Sequence, residues 1–259
     1  FFMKLMDKLN KKNITCPKPL KDENNRYLTM IKNKAACIVT FLSGKDKKNL
    51  NTKNCYDVGK NIGKFHVASS KINLYRKNSM SVNSLDSLLK SIKFNSKKID
   101  PNLKSVLKAN LKEIKKEWPK NLPKGIIHGD LFIDNIFFNK NNFAGFIDFY
   151  FSCNDYSMYE IAICINALCF DKKNNRYILN NKKVKNLING YQSIKRVSKK
   201  EKNSLNILCR GAALRYLLTR TYDYINTPKT ALIKIKDPKE YFQKLIIHNN
   251  LSGYRDYYN

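Results

Sequence analysis

The chain has 259 residues, 42% of them hydrophobic, with 50 basic against 20 acidic side chains and a formal charge of +30. That apolar share builds a real core and excludes a mainly disordered chain, 9 Gly and 7 Pro exclude collagen-like and low-complexity classes, and no apolar run approaches the ~20 residues of a membrane helix. The charge invites a nucleic-acid or membrane partner, yet 42 Lys stand scattered against only 8 Arg, and readers of phosphates and base edges lean on Arg forks. A solvated Lys-rich surface is the better account, with neither nucleic acid nor membrane as a partner. Seven cysteines without a CxxC pair fit a reducing cytoplasm.

In chain order, the amphipathic pattern Phe2, Leu5, Met6, Leu9 predicts a helix over about 1–12, stopped by Asn13 and the Pro17, Pro19 pair. Phe1 already falls inside that pattern, so the chain reads as one cut from something longer. Two strands are expected, Arg26 to Ile31 and Ala35 to Phe41, turned at Lys32-Asn33-Lys34 and closed by Ser43-Gly44. Helical spacing then marks one helix by Tyr56, Ile62, Phe65 and His66, a second by Leu85, Leu88, Leu89 and Ile92, and a third by Leu107, Leu111, Ile114 and Trp118, ended by Pro119. His66 reads as a packed core histidine and Trp118 as a packing anchor.

From Gly125 the pattern changes. Short apolar runs at Ile126-Ile127 and Ile136 to Phe138 suggest a hairpin around a polar loop, and a turn at 140–142 leads to a strand over Phe143 to Phe149. Helices are expected over about 156–170, 183–194, 201–225 and 238–247, with a frayed tail from Leu251 to Asn259. The fold class is α+β: a small piece over 1–44 that includes a hinge near 41–45, and a larger, mostly helical lobe over 45–259.

The polar loop reads His128-Gly129-Asp130-Leu131-Phe132-Ile133-Asp134-Asn135, and the next strand runs into Asp148-Phe149-Tyr150. Phosphoryl transfer to an alcohol needs a carboxylate to accept the hydroxyl proton and oxygen ligands to hold magnesium on the nucleotide phosphates. Protein kinases place the base Asp and a metal-binding Asn five residues apart, with a second metal-binding Asp in the following D-F-G. Asp130 and Asn135 keep that spacing, and Asp148 stands where the second ligand belongs. Asp134 has no role in this scheme and reads as a turn former, while His128 reads as a loop-holding neutral ring.

The segments HGDLFIDNIFF, GFIDFYFSCNDYSMYEIAICINALCF and RGAALRYLLTRTYDY resemble the bacterial homoserine kinases of the aminoglycoside phosphotransferase and choline kinase-like superfamily. The resemblance implies a bilobal protein kinase-like fold with a partial small lobe and a helical large lobe. It also implies ATP and Mg2+ as cofactors and phosphorylation of the L-homoserine hydroxyl on the way to threonine, with choline, an aminoglycoside or another amino alcohol as alternative acceptors. By motif, Asp130 is the base, Asn135 and Asp148 are the magnesium ligands, and Thr40, Phe41 and Leu42 form the hinge that meets adenine. Asp155 matches an Asp placed after the D-F segment and is expected to be chiefly structural, though it stays among the substrate-site candidates. The resemblance lacks the phosphate-covering strands and their Lys, so weak turnover is expected of these 259 residues alone. Glu160 replaces the family's Asp, and Ser152 its Ala.

A zwitterionic acceptor needs a cation for its carboxylate. Arg210, Arg215 and Arg220 lie in an otherwise apolar helix. For Arg215 two readings stand equal, a carboxylate clamp and an internal ion pair to Asp223, Glu160 or Asp155. For Tyr150, pocket wall and core aromatic stand equal.

Overall fold

The computed structural model describes residues 1–94, 102–228, 230–232 and 235–258. α1 (Phe2–Asn10) buries Met3, Leu5, Met6 and Leu9 in the same core that the later helices build, so the piece before residue 44 has no separate core of its own at this helix. β1 (Thr29–Ile31) and β2 (Lys34–Ala36) form a hairpin. Its turn is carried by Lys32 and Asn33 at φ 48° and 61°, the left-handed pair a two-residue type I′ turn requires. The hairpin is shorter than expected because the chain beyond Ala36 changes partner: Thr40 N donates to the Lys18 carbonyl and Leu20 N to the Ile38 carbonyl, both at 2.9 Å.

α2 (Thr52–Ser69) starts where the Asn51 side chain accepts from Asn54 N at 2.8 Å. α3 (Leu85–Ser91) and α4 (Leu103–Glu117) follow. Trp118 anchors the end of α4, its ring edge-on to Tyr159 at 5.6 Å, and the place it fills exists because residue 211 is Gly: an added Cβ there would run into the indole.

The strands are β3 (Lys124–Ile127), β4 (Ile136–Asn139), β5 (Asn142–Phe146) and β6 (Cys153–Tyr156). The hairpin expected from 126–127 to 136–138 does not form. β3 pairs antiparallel with β6, Ile127 opposite Cys153, and β4 pairs with β5, Ile136 opposite Phe146. Gly129 at φ 80° and a 3-10 turn at Ile133–Asn135 carry the chain away from β3 into a second sheet. β5 stops short of Phe149 because Asp148 is left-handed, φ 61° and ψ 62°, a conformation no strand continues.

α5 (Ser157–Leu168) is almost entirely buried, as its apolar run predicts. β7 (Phe170–Lys173) and β8 (Arg176–Leu179) form a hairpin the periodicity reading misses, turned by Asn174 and Asn175 at φ 47° and 60°. α6 (Asn181–Gln192) packs along α2. The helix expected over 201–225 is two helices, α7 (Lys199–Asn203) and α8 (Leu205–Asn226). Ser198 and Glu201 cap each other across the first turn of α7, and the chain restarts at Ser204. α9 (Lys239–Asn249) and α10 (Tyr254–Tyr258) complete the chain. Among the described residues no helix is long and apolar enough to cross a membrane.

The tail is docked rather than frayed through residue 258; residue 259 lies outside the described residues. Tyr257 is fully buried and meets His248 Nδ1 at 2.8 Å, while His248 Nε2 lies 3.1 Å from Asn166 Oδ1. Asn166 Nδ2 is spent on the carbonyls of Ala162 and Cys209, so its Oδ1 accepts, His248 Nε2 donates, and Nδ1 accepts from Tyr257. This arrangement needs a neutral ring. Burial, with Lys244 and Arg210 nearby, holds the His248 pKa down to about 3.

The unfolded chain takes up its proton near 6.5, so stability is complete above that pH and falls as pH drops toward about 3. Each tenfold gap in proton affinity is worth about 1.4 kcal/mol. The urea midpoint therefore drops between pH 7 and pH 5, and His248→Gln, which keeps a donor for Asn166 without a titrating ring, flattens that drop. An unchanged pH slope in the variant would remove His248 as its source.

Candidate active site

The loop after β3 begins with two N–H groups that leave the sheet, those of His128 and Gly129. Both turn to one carboxylate: the fully buried Glu160 on α5 accepts from His128 N, and from Gly129 N at 3.2 and 3.3 Å. Behind it stands His66, with Nε2 at 4.0 Å from Glu160 and Nδ1 at 2.9 Å from the Tyr191 hydroxyl. Gly129 is obligatory here, since at φ 80° an added Cβ would press on the Phe151 carbonyl. His128 performs the holding role expected of it: Nε2 donates to the Ile147 carbonyl at 2.8 Å and the ring packs on Phe149 at 4.6 Å, tying the loop to the turn that carries Asp148.

α8 holds the loop from its other side. Arg215 Nη1 donates to the Gly129 carbonyl at 2.9 Å, and the Tyr216 hydroxyl lies 3.2 Å from both that carbonyl and Asp130 Oδ1. With the loop so gripped, Asp130, Asn135 and Asp148 line one cavity of about 210 Å³, which Tyr216, Arg220 and Lys236 also reach. Larger hollows of about 660 and 760 Å³ lie elsewhere, lined largely by lysines and other polar groups, and neither gathers a comparable set.

Burial pushes the Asp130 carboxyl above the ordinary carboxylate range; Arg215, His128 and the Tyr216 hydrogen bond oppose the rise and Asp148 adds to it. A carboxylate in that state takes a proton more readily than an exposed one. Asn135 Nδ2 donates to the Asp130 backbone carbonyl at 2.8 Å, which leaves the Asn135 amide oxygen as the atom it can offer to a ligand. With the Asp148 carboxylate this makes two hard oxygen donors, the complement magnesium takes beside phosphate oxygens and waters. Among the described residues no cluster of three or more His, Cys, Asp or Glu could hold a metal by itself.

The model of the phosphotransferase enzyme family matches residues 1–180. The chain belongs to the phosphotransferase enzyme family. It is 37% identical over 257 residues to the homoserine kinase of Agrobacterium fabrum, covering 99% of this chain and 79% of that one. Among solved structures it is similar to the amicoumacin kinase hAmiN in complex with AMP-PNP, Ca2+ and Ami (TM-score 0.70, 14% identity, 95% of this chain and 76% of that one). It is similar also to choline kinase from Cryptosporidium parvum (TM-score 0.67, 15% identity, 95% and 75%). The fold is thus the protein kinase-like α+β fold.

Within this phosphotransferase, other residues singled out in the sequence are not among those that line the cavity. Asp155 Oδ2 accepts from Asn78 at 2.6 Å, pinning the segment before α3 against β6, in keeping with a structural part. Tyr150 is half-exposed, its hydroxyl 3.8 Å from Cys37 Sγ and its ring edge-on to Phe2 at 5.4 Å. Among the described residues Arg215 makes no ion pair with Asp223, Glu160 or Asp155; its guanidinium is buried on the Gly129 carbonyl and over the rings of Tyr216 and Phe151. Arg210 pairs with Glu113 at 2.9 Å. Sequence reasoning missed Tyr216 and Lys236, while Arg220 was among the three arginines it named for the acceptor. Tyr216 lies four residues before Arg220 on one helix face, and that spacing was the available signal. Lys236 lies in an irregular connection and carries none.

Proposed function

We propose that this phosphotransferase moves the γ-phosphoryl group of ATP to the hydroxyl of L-homoserine, yielding ADP and O-phospho-L-homoserine on the way to threonine. The observation that carries the chemistry is the single cavity shared by Asp130, Asn135 and Asp148. The acceptor rests on the likeness to homoserine kinases over nearly the whole chain.

Asp130 accepts the hydroxyl proton as the alcohol oxygen bonds to the γ-phosphorus and the bond to the departing diphosphate oxygen breaks. Asn135 and Asp148 would hold magnesium, which would neutralise part of the charge on the phosphates. Tyr216 fixes the carboxylate of Asp130, and Glu160, His128 and Arg215 keep the loop in register, so the base meets the acceptor without rearrangement. Thr40, Phe41 and Leu42 border the adenine: Leu42 packs on Gly145 in β5, the strand that runs on to Asp148. Residues 1–44 thus contribute the nucleotide side and 45–259 the catalytic and acceptor side.

A phosphoryl-transfer assay across L-homoserine, choline, L-threonine and kanamycin tests the acceptor. L-homoserine is expected to give the highest kcat/KM, and a preference for choline or kanamycin would overturn the reading.

A further inference from the structure

The cavity lining divides by chemistry. Asn135 and Asp148 offer oxygen donors and Asp130 the base, while Arg220 and Lys236 bring two cations to the same space of about 210 Å³. Arg220 is nearly buried, with Nη1 on Glu240 at 2.7 Å and its plane 4.4 Å over Tyr241. Glu240 also takes Lys244 at 2.6 Å, so one carboxylate is shared between two cations. Lys236 reaches the cavity from the connection between α8 and α9. Its side chain is 55% exposed, its Nζ stands 5.1 Å over Phe132, and its ion pair with the equally exposed Asp134 is long, at 3.4 Å.

Among the described residues Arg220 shares Glu240 with Lys244, and Lys236 has only its long ion pair to the exposed Asp134, so both cations can still receive an anionic group that enters the cavity. Two anions could use them, a phosphate oxygen of the nucleotide and the carboxylate of the acceptor, and the likeness to homoserine kinases over nearly the whole chain favours the second. We propose that Lys236, together with Arg220, receives the carboxylate of a small hydroxy-acid acceptor and thereby sets the preference for an amino acid over the amino alcohol that lacks the carboxyl group. The inference rests on the acceptor reading above and assigns the side chains that enforce it.

The test compares L-homoserine with 3-aminopropan-1-ol, the same chain without its carboxylate, in the full-length protein and in Lys236→Met. The variant is expected to lose roughly 10–100-fold in kcat/KM for L-homoserine, the size of a lost charge-assisted hydrogen bond. Turnover of 3-aminopropan-1-ol and the KM for ATP stay as they were, and Lys236→Arg restores most of the discrimination. Equal losses with both acceptors, or a raised KM for ATP with discrimination intact, overturn the proposal and assign Lys236 to the phosphates or to the fold. A wild-type protein that prefers choline to both acceptors instead overturns the acceptor reading itself.

Discussion

Asp130→Asn is expected to lower kcat by roughly 10²–10⁴-fold, the contribution of a positioned general base, while nucleotide affinity is retained. The substitution is close to isosteric. It leaves the backbone carbonyl of residue 130 in place for Asn135 Nδ2, and the amide oxygen can still accept from Tyr216. What it removes is an oxygen able to take a proton. Burial raises the Asp130 carboxyl above its ordinary value, so the charged form costs the folded state free energy at neutral pH. The neutral amide relieves that cost, and the melting temperature of the variant is expected to equal or exceed that of the parent. The pairing of lost turnover with kept or raised stability marks a residue placed for chemistry. Single-turnover kinetics and a thermal melt on one preparation read both. Turnover near the parent's rate would remove Asp130 as the base, and a lowered melt would make it a structural residue.

That site was legible because kinase chemistry fixes a local spacing: Asp130, Asn135 and Asp148 are close in sequence, so one loop and one turn bring them together. The helices were legible for a similar reason, since the apolar stripe of α1 or α4 needs no knowledge of its partner. Strand pairing was not. Two apolar residues at 126–127 carry no information about whether β4 or β6 lies alongside, and that choice is made by a turn at Gly129 and Ile133–Asn135 whose course depends on Glu160 in α5. The β7–β8 hairpin, in contrast, had a signal that a helical reading passed over, the Asn174-Asn175 pair at its turn. Arg215 shows a different limit. An arginine in an apolar helix must find partners, but the one it finds is a backbone carbonyl, which no pattern of charged residues announces. Lys236 was hidden because cavity walls are assembled from elements far apart in the chain.

The α2–α6 crossing was equally silent, and there the expected effect of one methyl group is large. Gly59 and Gly190 oppose each other where the two helices meet: an added Cβ on Gly59 would overlap the Leu187 carbonyl, and one on Gly190 would overlap the Tyr56 carbonyl. By helix propensity alone, Gly→Ala stabilises by about 1 kcal/mol. Here the obstacle is backbone, which cannot rotate aside, so the sign reverses. Gly59→Ala and Gly190→Ala are each expected to destabilise by about 1–3 kcal/mol as overpacking does. The double variant costs less than the sum, because helices already forced apart by one Cβ have room for the second. Gly253→Ala, with nothing within 4 Å of its added Cβ, serves as the near-neutral control.

The effect reaches the active site by a short route. His66 on α2 bonds Tyr191 on α6 and stands against Glu160, which holds the N–H groups of His128 and Gly129 beside the base. Urea denaturation gives the stability change, and kcat at a temperature where each variant is fully folded gives the catalytic one. Both alanine variants are expected to lose turnover there while the KM for ATP holds. Stability at or above the parent's would show that the two helices can separate without cost, and an undiminished kcat in the folded variants would cut the proposed link from His66 to the catalytic loop.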